Sequence, residues 1–229
     1  MKNRVVVLWI IVIQIAMVTS LSCSAGVIKE VPEDLLPAAE KILSERFSAY
    51  PQWYLDFQPY FHHGDSLMDF RLGEPYPCYQ FKMKDIYYLK EKEDFKNIVK
   101  FRIWSIPIYL SNEEEPRTKF NVKKNSDGKW RWAGIGGNPK PILEARERWL
   151  HKKGYRCAPF YARRGPRKLI IIENADTLRF YIYSQNSKTA EILGISKNSE
   201  GYYPPLSLDS LIGYVKNNKK YSRDKVGLD

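Results

Sequence analysis

Histidine and cysteine are scarce: the 229-residue chain has three of each. None forms a C-x-x-C or an H-E-x-x-H, so thioredoxin-type redox chemistry and zincin-type hydrolysis have no motif to rest on. A nucleophile elbow is missing too. The nearest stretch, Leu193–Gly194–Ile195–Ser196–Lys197, lacks the closing glycine of G-x-S-x-G. The glycines at 134–137 lack full Rossmann or P-loop spacing. Acidic residues are outnumbered, 26 against 37 lysines and arginines, for a formal net charge of +11. Apolar material is plentiful at 44%, with 14% aromatic, which supplies a core and argues against global disorder.

The one long apolar run opens the chain. Lys2 and Arg4 precede an apolar stretch, residues 5–18, broken only by Gln14; small residues Ser20, Ser22, Ser24 and Ala25 follow. That order is a secretory signal over residues 1–25. Three outcomes stand. Cleavage after Ala25 releases the protein. Cleavage before Cys23 exposes a thiol for lipidation, although Ser20 stands where a lipoprotein signal carries leucine. Retention leaves an anchor, for which the run is short against the ~20 residues of a bilayer span. Each places the remainder outside the cytoplasm, secreted or tethered at its start.

The remaining two hundred or so residues suit one large domain or two small ones. A basic surface in that compartment favours an anionic envelope polymer, lipid headgroups or an acidic protein over nucleic acid; a merely solvated lysine-rich surface is the plainer alternative. Cys78 and Cys157 remain once Cys23 is removed or lipidated. Two cysteines in an exported chain suggest a disulfide, worth roughly 4 kcal/mol for so long a loop. Two buried free thiols are the other possibility.

Periodicity organises the rest. Residues 33–47 repeat Leu35, Leu36, Ala39, Ile42, Leu43 and Phe47 at helical spacing, with Glu33, Asp34 and Pro37 in the first turn. Residues 78–83 and 101–110 read as strands, with Pro107 marking an edge or bulge. Asp127–Gly128 closes a hairpin in which Phe120, Val122, Trp130 and Trp132 share one face. Asn138 and Pro139 cap a second helix that carries Ile142, Leu143, Trp149 and Leu150. Strands follow at 155–162, 169–172 and 178–183, then a last helix near 207–217.

Candidate site residues are few. Trp53 and Tyr54 belong to an aromatic stripe over residues 50–61, read as core or as a stacking platform for sugar rings. Arg163, Arg164, Arg167 and Lys168 form a basic turn that either grips anionic groups or guards a sheet edge. His62, His63 and Asp65 have poor metal-ligand spacing, since neighbouring side chains on an extended segment diverge. No metal and no cofactor is expected. Glu40, Glu45, Asp56 and Asp65 are first suspects for a carboxylate pair, should the chain act on glycans.

Gly73–Glu74–Pro75–Tyr76, Asp127–Gly128–Lys129–Trp130 and Gly136–Gly137, each near a strand or helix boundary, resemble features of small exported bacterial proteins. Helix followed by antiparallel meander is similar to cystatin-like and PepSY-like modules. The resemblance implies a fold and an extracytoplasmic home, and supplies no catalytic residue. The expectation is an α+β protein: an antiparallel sheet covered on one face by two or three helices. It is built as two helix-plus-meander modules over 26–137 and 138–229, or as one domain spanning both. Corresponding edge strands of the two halves would meet and bring Cys78 to Cys157. The expected function is a non-enzymatic binding or interaction module at the cell envelope, and the alternative an envelope glycan hydrolase.

Overall fold

The computed structural model describes residues 27–49, 60–61, 70–91, 94–111, 113–150, 156–163, 169–174, 177–181, 190–191, 195–201 and 203–217. The expected signal, including Cys23, lies outside them, as do His62, His63 and Asp65. In chain order the elements are α1 (Leu35–Ala49), β1 (Phe70–Leu72), β2 (Tyr76–Lys82), α2 (Met83–Tyr87), α3 (Phe95–Ile98), β3 (Lys100–Leu110), β4 (Thr118–Lys124), β5 (Trp130–Ile135), α4 (Lys140–Leu150), β6 (Arg156–Arg163), β7 (Leu169–Glu173), β8 (Leu178–Tyr181), β9 (Leu206–Ser207) and α5 (Leu208–Asn217). No helix among the described residues is long and apolar enough to cross a membrane.

The fold is α+β. The nine strands among the described residues join one sheet, ordered β5-β4-β3-β2-β6-β7-β8-β9, with β1 pairing the far end of β3 beyond β2. Each half is an antiparallel meander. The halves meet where β2 and β6 run parallel, Tyr79 level with Phe160. The sheet is therefore mixed, and the expectation of a wholly antiparallel one is corrected at this seam.

The seam also decides where the helices go. Each meander is preceded by a helix. Two such units whose first strands lie side by side and parallel are related by rotation about an axis along the strands, which exchanges the two faces of the sheet. The helices accordingly divide. Leu35, Ala39, Leu43 and Phe47 of α1 pack on Trp104, Ile106, Phe120 and Val122. Leu211 and Val215 of α5 join Phe81, Phe160, Ile171 and Phe180. Phe101 touches both clusters, so they share a face. Successive residues alternate across a strand. Cys78, Cys157 and Ile170 therefore point the other way, into a third cluster roofed by Ile142 and Ala145 of α4. Helices on one face only was the expectation; α4 on the opposite face corrects it. Across the seam Phe81 and Phe160 stack at 3.9 Å, 3° from parallel.

Local chemistry explains most elements. Leu35, Ala39, Leu43 and Phe47 recur every four residues along α1. Pro37 sits in its first turn, where a missing N–H costs nothing. Asp34 lies just ahead of the helix, and its carboxylate accepts the indole N–H of Trp130 at 2.9 Å and pairs with Lys124 at 3.0 Å. The hairpin forms as expected, with Gly128 at φ +78° and Phe120, Val122, Trp130 and Trp132 in one cluster. Pro107 is in an interior strand. Its carbonyl accepts the Gly73 N–H at 2.8 Å. The position where its own N–H would point therefore faces the break between β1 and β2, where no ladder bond is lost.

Cys78 and Cys157 are both buried and both free, which corrects the expected disulfide. The halves meet as anticipated, yet the register staggers the two cysteines. Continuing the β2–β6 pairing sets Cys157 level with Tyr76, two residues from Cys78. Strand spacing and rise then separate their Cα atoms by about 8 Å, beyond the ~7 Å that a disulfide spans.

Residues just after the expected cleavage point are pinned across this seam. Glu173, at the end of β7 and 6% exposed, accepts the backbone N–H groups of Val27 at 2.5 Å and Ile28 at 2.9 Å. The Lys29 N–H donates to the buried Tyr79 hydroxyl at 2.6 Å, and Arg156 donates to the Ile28 carbonyl at 3.1 Å.

Candidate functional site

The polar phase of β3 and β4 faces the same side as α4. Beside that helix it floors a cleft of about 470 Å3. The walls are apolar: Ile103, Ala133, Pro141, Ile142 and Pro159. The polar side chains are Tyr76 of β2, Arg102 of β3, Lys119 and Asn121 of β4, and Tyr161 of β6, with Asn138 at the rim. Four neighbouring strands thus contribute, the β2–β3 pair and one strand on each side of it, β4 and β6.

Arg102 is placed by the irregularity that shifts register between Cys78 and Tyr79, for the partners step from Ile103 to Phe101 and leave Arg102 as the extra residue. The Lys119 ammonium donates to the Tyr161 hydroxyl at 3.3 Å and lies 5.7 Å from the Tyr161 ring centre. Neither Arg102 nor Lys119 has a carboxylate partner among the described residues, and no carboxylate lines the cleft there.

Behind the floor runs a buried chain. The Ser105 hydroxyl, itself wholly buried, donates to Asn121 Oδ1 at 2.6 Å and lies 3.1 Å from Cys78 Sγ. Asn121 therefore turns its oxygen to Ser105, which leaves its Nδ2 hydrogens for other acceptors. Tyr76 is 1% exposed, and its hydroxyl is the one buried side-chain polar atom without a hydrogen-bond partner among the described residues.

Burial fixes the protonation of these groups. It pushes the Tyr76 and Tyr161 hydroxyls above the usual tyrosine range, so both remain neutral donors. It also raises both thiols, Cys157 to about 12; for Cys78 the nearby Lys119 ammonium, the Ser105 hydrogen bond and Arg102 act the other way without reversing the shift. Neither cysteine is a thiolate at neutral pH, so neither is a ready nucleophile.

The glycine turn at the mouth is structural. The Gly136 N–H donates to the Lys119 carbonyl at 2.9 Å, and the Gly137 N–H to the Tyr60 hydroxyl at 3.2 Å. Gly137 needs its positive φ of 96°, and a Cβ there would lie 3.0 Å from Lys119 Cε. Asn138 caps α4 as expected, accepting the Lys140 N–H at 2.9 Å. Arg146 ties the helix to Glu74 in the link between β1 and β2.

The residues singled out from sequence fall elsewhere. Trp53 and Tyr54 lie outside the described residues, as do Arg164, Arg167, Lys168 and the side chain of Arg163, whose backbone ends β6 opposite Lys82. Of the suspected carboxylates, Glu40 lines an open groove beside α1 and Glu45 pairs with Lys41 at 3.9 Å. Asp56 and Asp65 lie outside the described residues. Among the described residues no three histidine, cysteine or acidic side chains gather as metal ligands would. The cleft was missed because Arg102, Lys119 and Asn121 look like ordinary solvent-facing positions of half-buried strands. Of the polar residues of the cleft, the sequence marks Tyr76, as the last residue of Gly73–Glu74–Pro75–Tyr76, and Asn138, as a helix cap.

No family model, curated protein or solved structure matches this chain.

Proposed function

We propose that the chain is a non-enzymatic binding module of the cell envelope, and that its recognition centre is the cleft between α4 and the sheet. The reading rests on one observation. The described side chains that line the cleft offer hydrogen-bond donors and two cations, Arg102 and Lys119, with no carboxylate among them. Such a lining suits the anionic part of a ligand. The apolar walls add area that a partly apolar ligand covers. The extracytoplasmic setting is supported by the leader: Lys2 and Arg4, the apolar run and the small residues up to Ala25.

The glycan-hydrolase alternative calls for two carboxyl groups about 5 to 9 Å apart in a cleft. No described residue of this cleft supplies a carboxyl group, and burial holds the Tyr76, Tyr161, Cys78 and Cys157 side chains protonated.

Titration of the protein against anionic liposomes and purified anionic wall polymers at two salt concentrations tests the proposal. Salt-sensitive binding that falls on Lys119→Gln and Arg102→Gln is expected. Binding to neither material, or binding indifferent to both substitutions, would overturn it.

A further inference from the structure

We infer that the group held in this cleft is a phosphate monoester, bound as its dianion and carried on an apolar body. This deepens the anion-binding proposal above and rests on it. Three features point past a generic anion. The first is charge. Two cations, Arg102 and Lys119, face the space without a carboxylate partner among the described residues, and a phosphate monoester carries close to two negative charges at neutral pH. A carboxylate or a phosphodiester carries one.

The second is the direction of the donors. The Ser105 hydrogen bond commits Asn121 Oδ1 and leaves its amide hydrogens free. Tyr161 accepts from Lys119 and keeps its own hydroxyl hydrogen. Tyr76 has an unpartnered buried hydroxyl. With the guanidinium and the ammonium these come from four strands. A tetrahedral phosphoryl group, with three terminal oxygens, can meet donors arriving from several directions; a planar carboxylate has two oxygens in one plane. Donation from the helix end is not part of the site, because the Gly136, Gly137 and Lys140 N–H groups are already spent within the turn.

The third is the buried hydroxyl itself. Leaving a donor without a partner in the interior destabilises the protein, so Tyr76 is placed at a loss to the free fold. A ligand oxygen that accepts from it offsets that loss. The apolar walls of Ile103, Pro141, Ile142 and Pro159 then receive the body of the ester.

Calorimetric titration of the full chain with phenyl phosphate at low salt tests this, beside benzoate and diphenyl phosphate. Phenyl phosphate is expected to bind at least about tenfold more tightly than either, since a lost charge-assisted hydrogen bond is worth about that factor. Its affinity should rise from pH 5 to pH 7, as the ester loses its second proton near pH 6. Among the described residues the ionisable groups around the cleft are Arg102, Lys119, Arg146, Tyr76, Tyr109, Tyr161, Cys78 and Cys157; the Glu74 carboxylate paired with Arg146 stands outside the lining, and a rise that survives in Glu74→Gln belongs to the ligand. Tyr76→Phe should weaken phenyl phosphate about tenfold while leaving Tm unchanged or higher, a combination that a purely structural tyrosine would not give. Vesicles containing phosphatidic acid, compared with phosphatidylglycerol, separate the sources. Binding to the phosphatidic acid vesicles supports a lipid headgroup; binding of phenyl phosphate without vesicle binding supports a free ester. Benzoate binding as tightly as phenyl phosphate, or affinity independent of pH, or no effect of Tyr76→Phe, overturns the phosphate monoester and leaves the anion-binding proposal standing. Absence of binding to these anions, to both kinds of vesicle and to the wall polymers overturns both.

Discussion

The carboxylate of Glu173 accepts the backbone N–H of Val27 across 146 residues of chain, at 2.5 Å, and that of Ile28 beside it at 2.9 Å. With the Tyr79 hydroxyl and Arg156, this buried carboxylate holds the segment that follows the expected signal. Glu173→Ala leaves two N–H groups without their acceptor and is expected to cost about 2–3 kcal/mol. Glu173→Gln, which keeps one acceptor oxygen, should cost less. Urea unfolding reads both as a lower midpoint with an unchanged slope. Hydrogen exchange at Val27 and Ile28 should quicken in parallel, and unaltered exchange would show that the carboxylate does not hold them.

Phe160 reaches across the seam to stack on Phe81 and also touches Phe95 and Phe180. Phe160→Ala should cost about 3–5 kcal/mol, the range for truncating a buried aromatic ring. Because the two meanders share one sheet, the loss is expected to fall on both. Tryptophan emission and far-ultraviolet circular dichroism should lose signal in one coincident transition. Two separated transitions would mean that the halves fold independently.

The stagger between β2 and β6 makes a chemical forecast. Iodoacetamide in denaturant without reductant should label both Cys78 and Cys157 in a peptide map. In the native protein near pH 8 both should react slowly, since burial keeps them protonated as well as covered. Recovery of a peptide pair that separates only on reduction would contradict the stagger.

Asp34 reports on how α1 meets the hairpin. The Lys124 ammonium, and after it the Trp130 indole N–H, hold its carboxyl below the ordinary value of 3.8. A depressed folded value stabilises the charged form, so the contribution is complete above the unfolded pKa and disappears as pH falls through the lower folded one. Tryptophan emission followed from pH 6 to pH 2 should therefore show a step below pH 4 that Asp34→Asn removes. A step that survives in Asp34→Asn would assign it to another carboxylate.

How much of this was visible beforehand depended on whether the signal was local. The stripe of α1, the Asp127–Gly128 turn, the facing pairs of the hairpin and the Asn138 cap all rest on residues within a few positions of one another, and all are found. The stretch at 169–172 reads as a strand and is one, and the structure buries it throughout, since Leu169, Ile170, Ile171 and Ile172 leave no polar face. What could not be read was pairing over distance. Nothing near Cys78 or Cys157 fixes a two-residue offset between strands that lie in different halves. The short helices α2 and α3, five and four residues long, are too brief for periodicity to register. The cleft escaped for the same reason. Its floor looks like a wet strand face until α4 is known to lie beside it, and that placement follows from the parallel seam rather than from any motif.

The seam has a further consequence, in the order of events as the chain emerges. Tyr79 must wait for Phe160, 81 residues later, before its strand has a neighbour on that side. Until then the first meander presents β2 as an open edge with Phe81 lacking its stacking partner, ready to pair with the wrong strand, including that of a second nascent copy. A helper that shields one strand edge for the time it takes to synthesise the second half would meet the need, and yield on expression without one should fall as translation is slowed between residues 82 and 156.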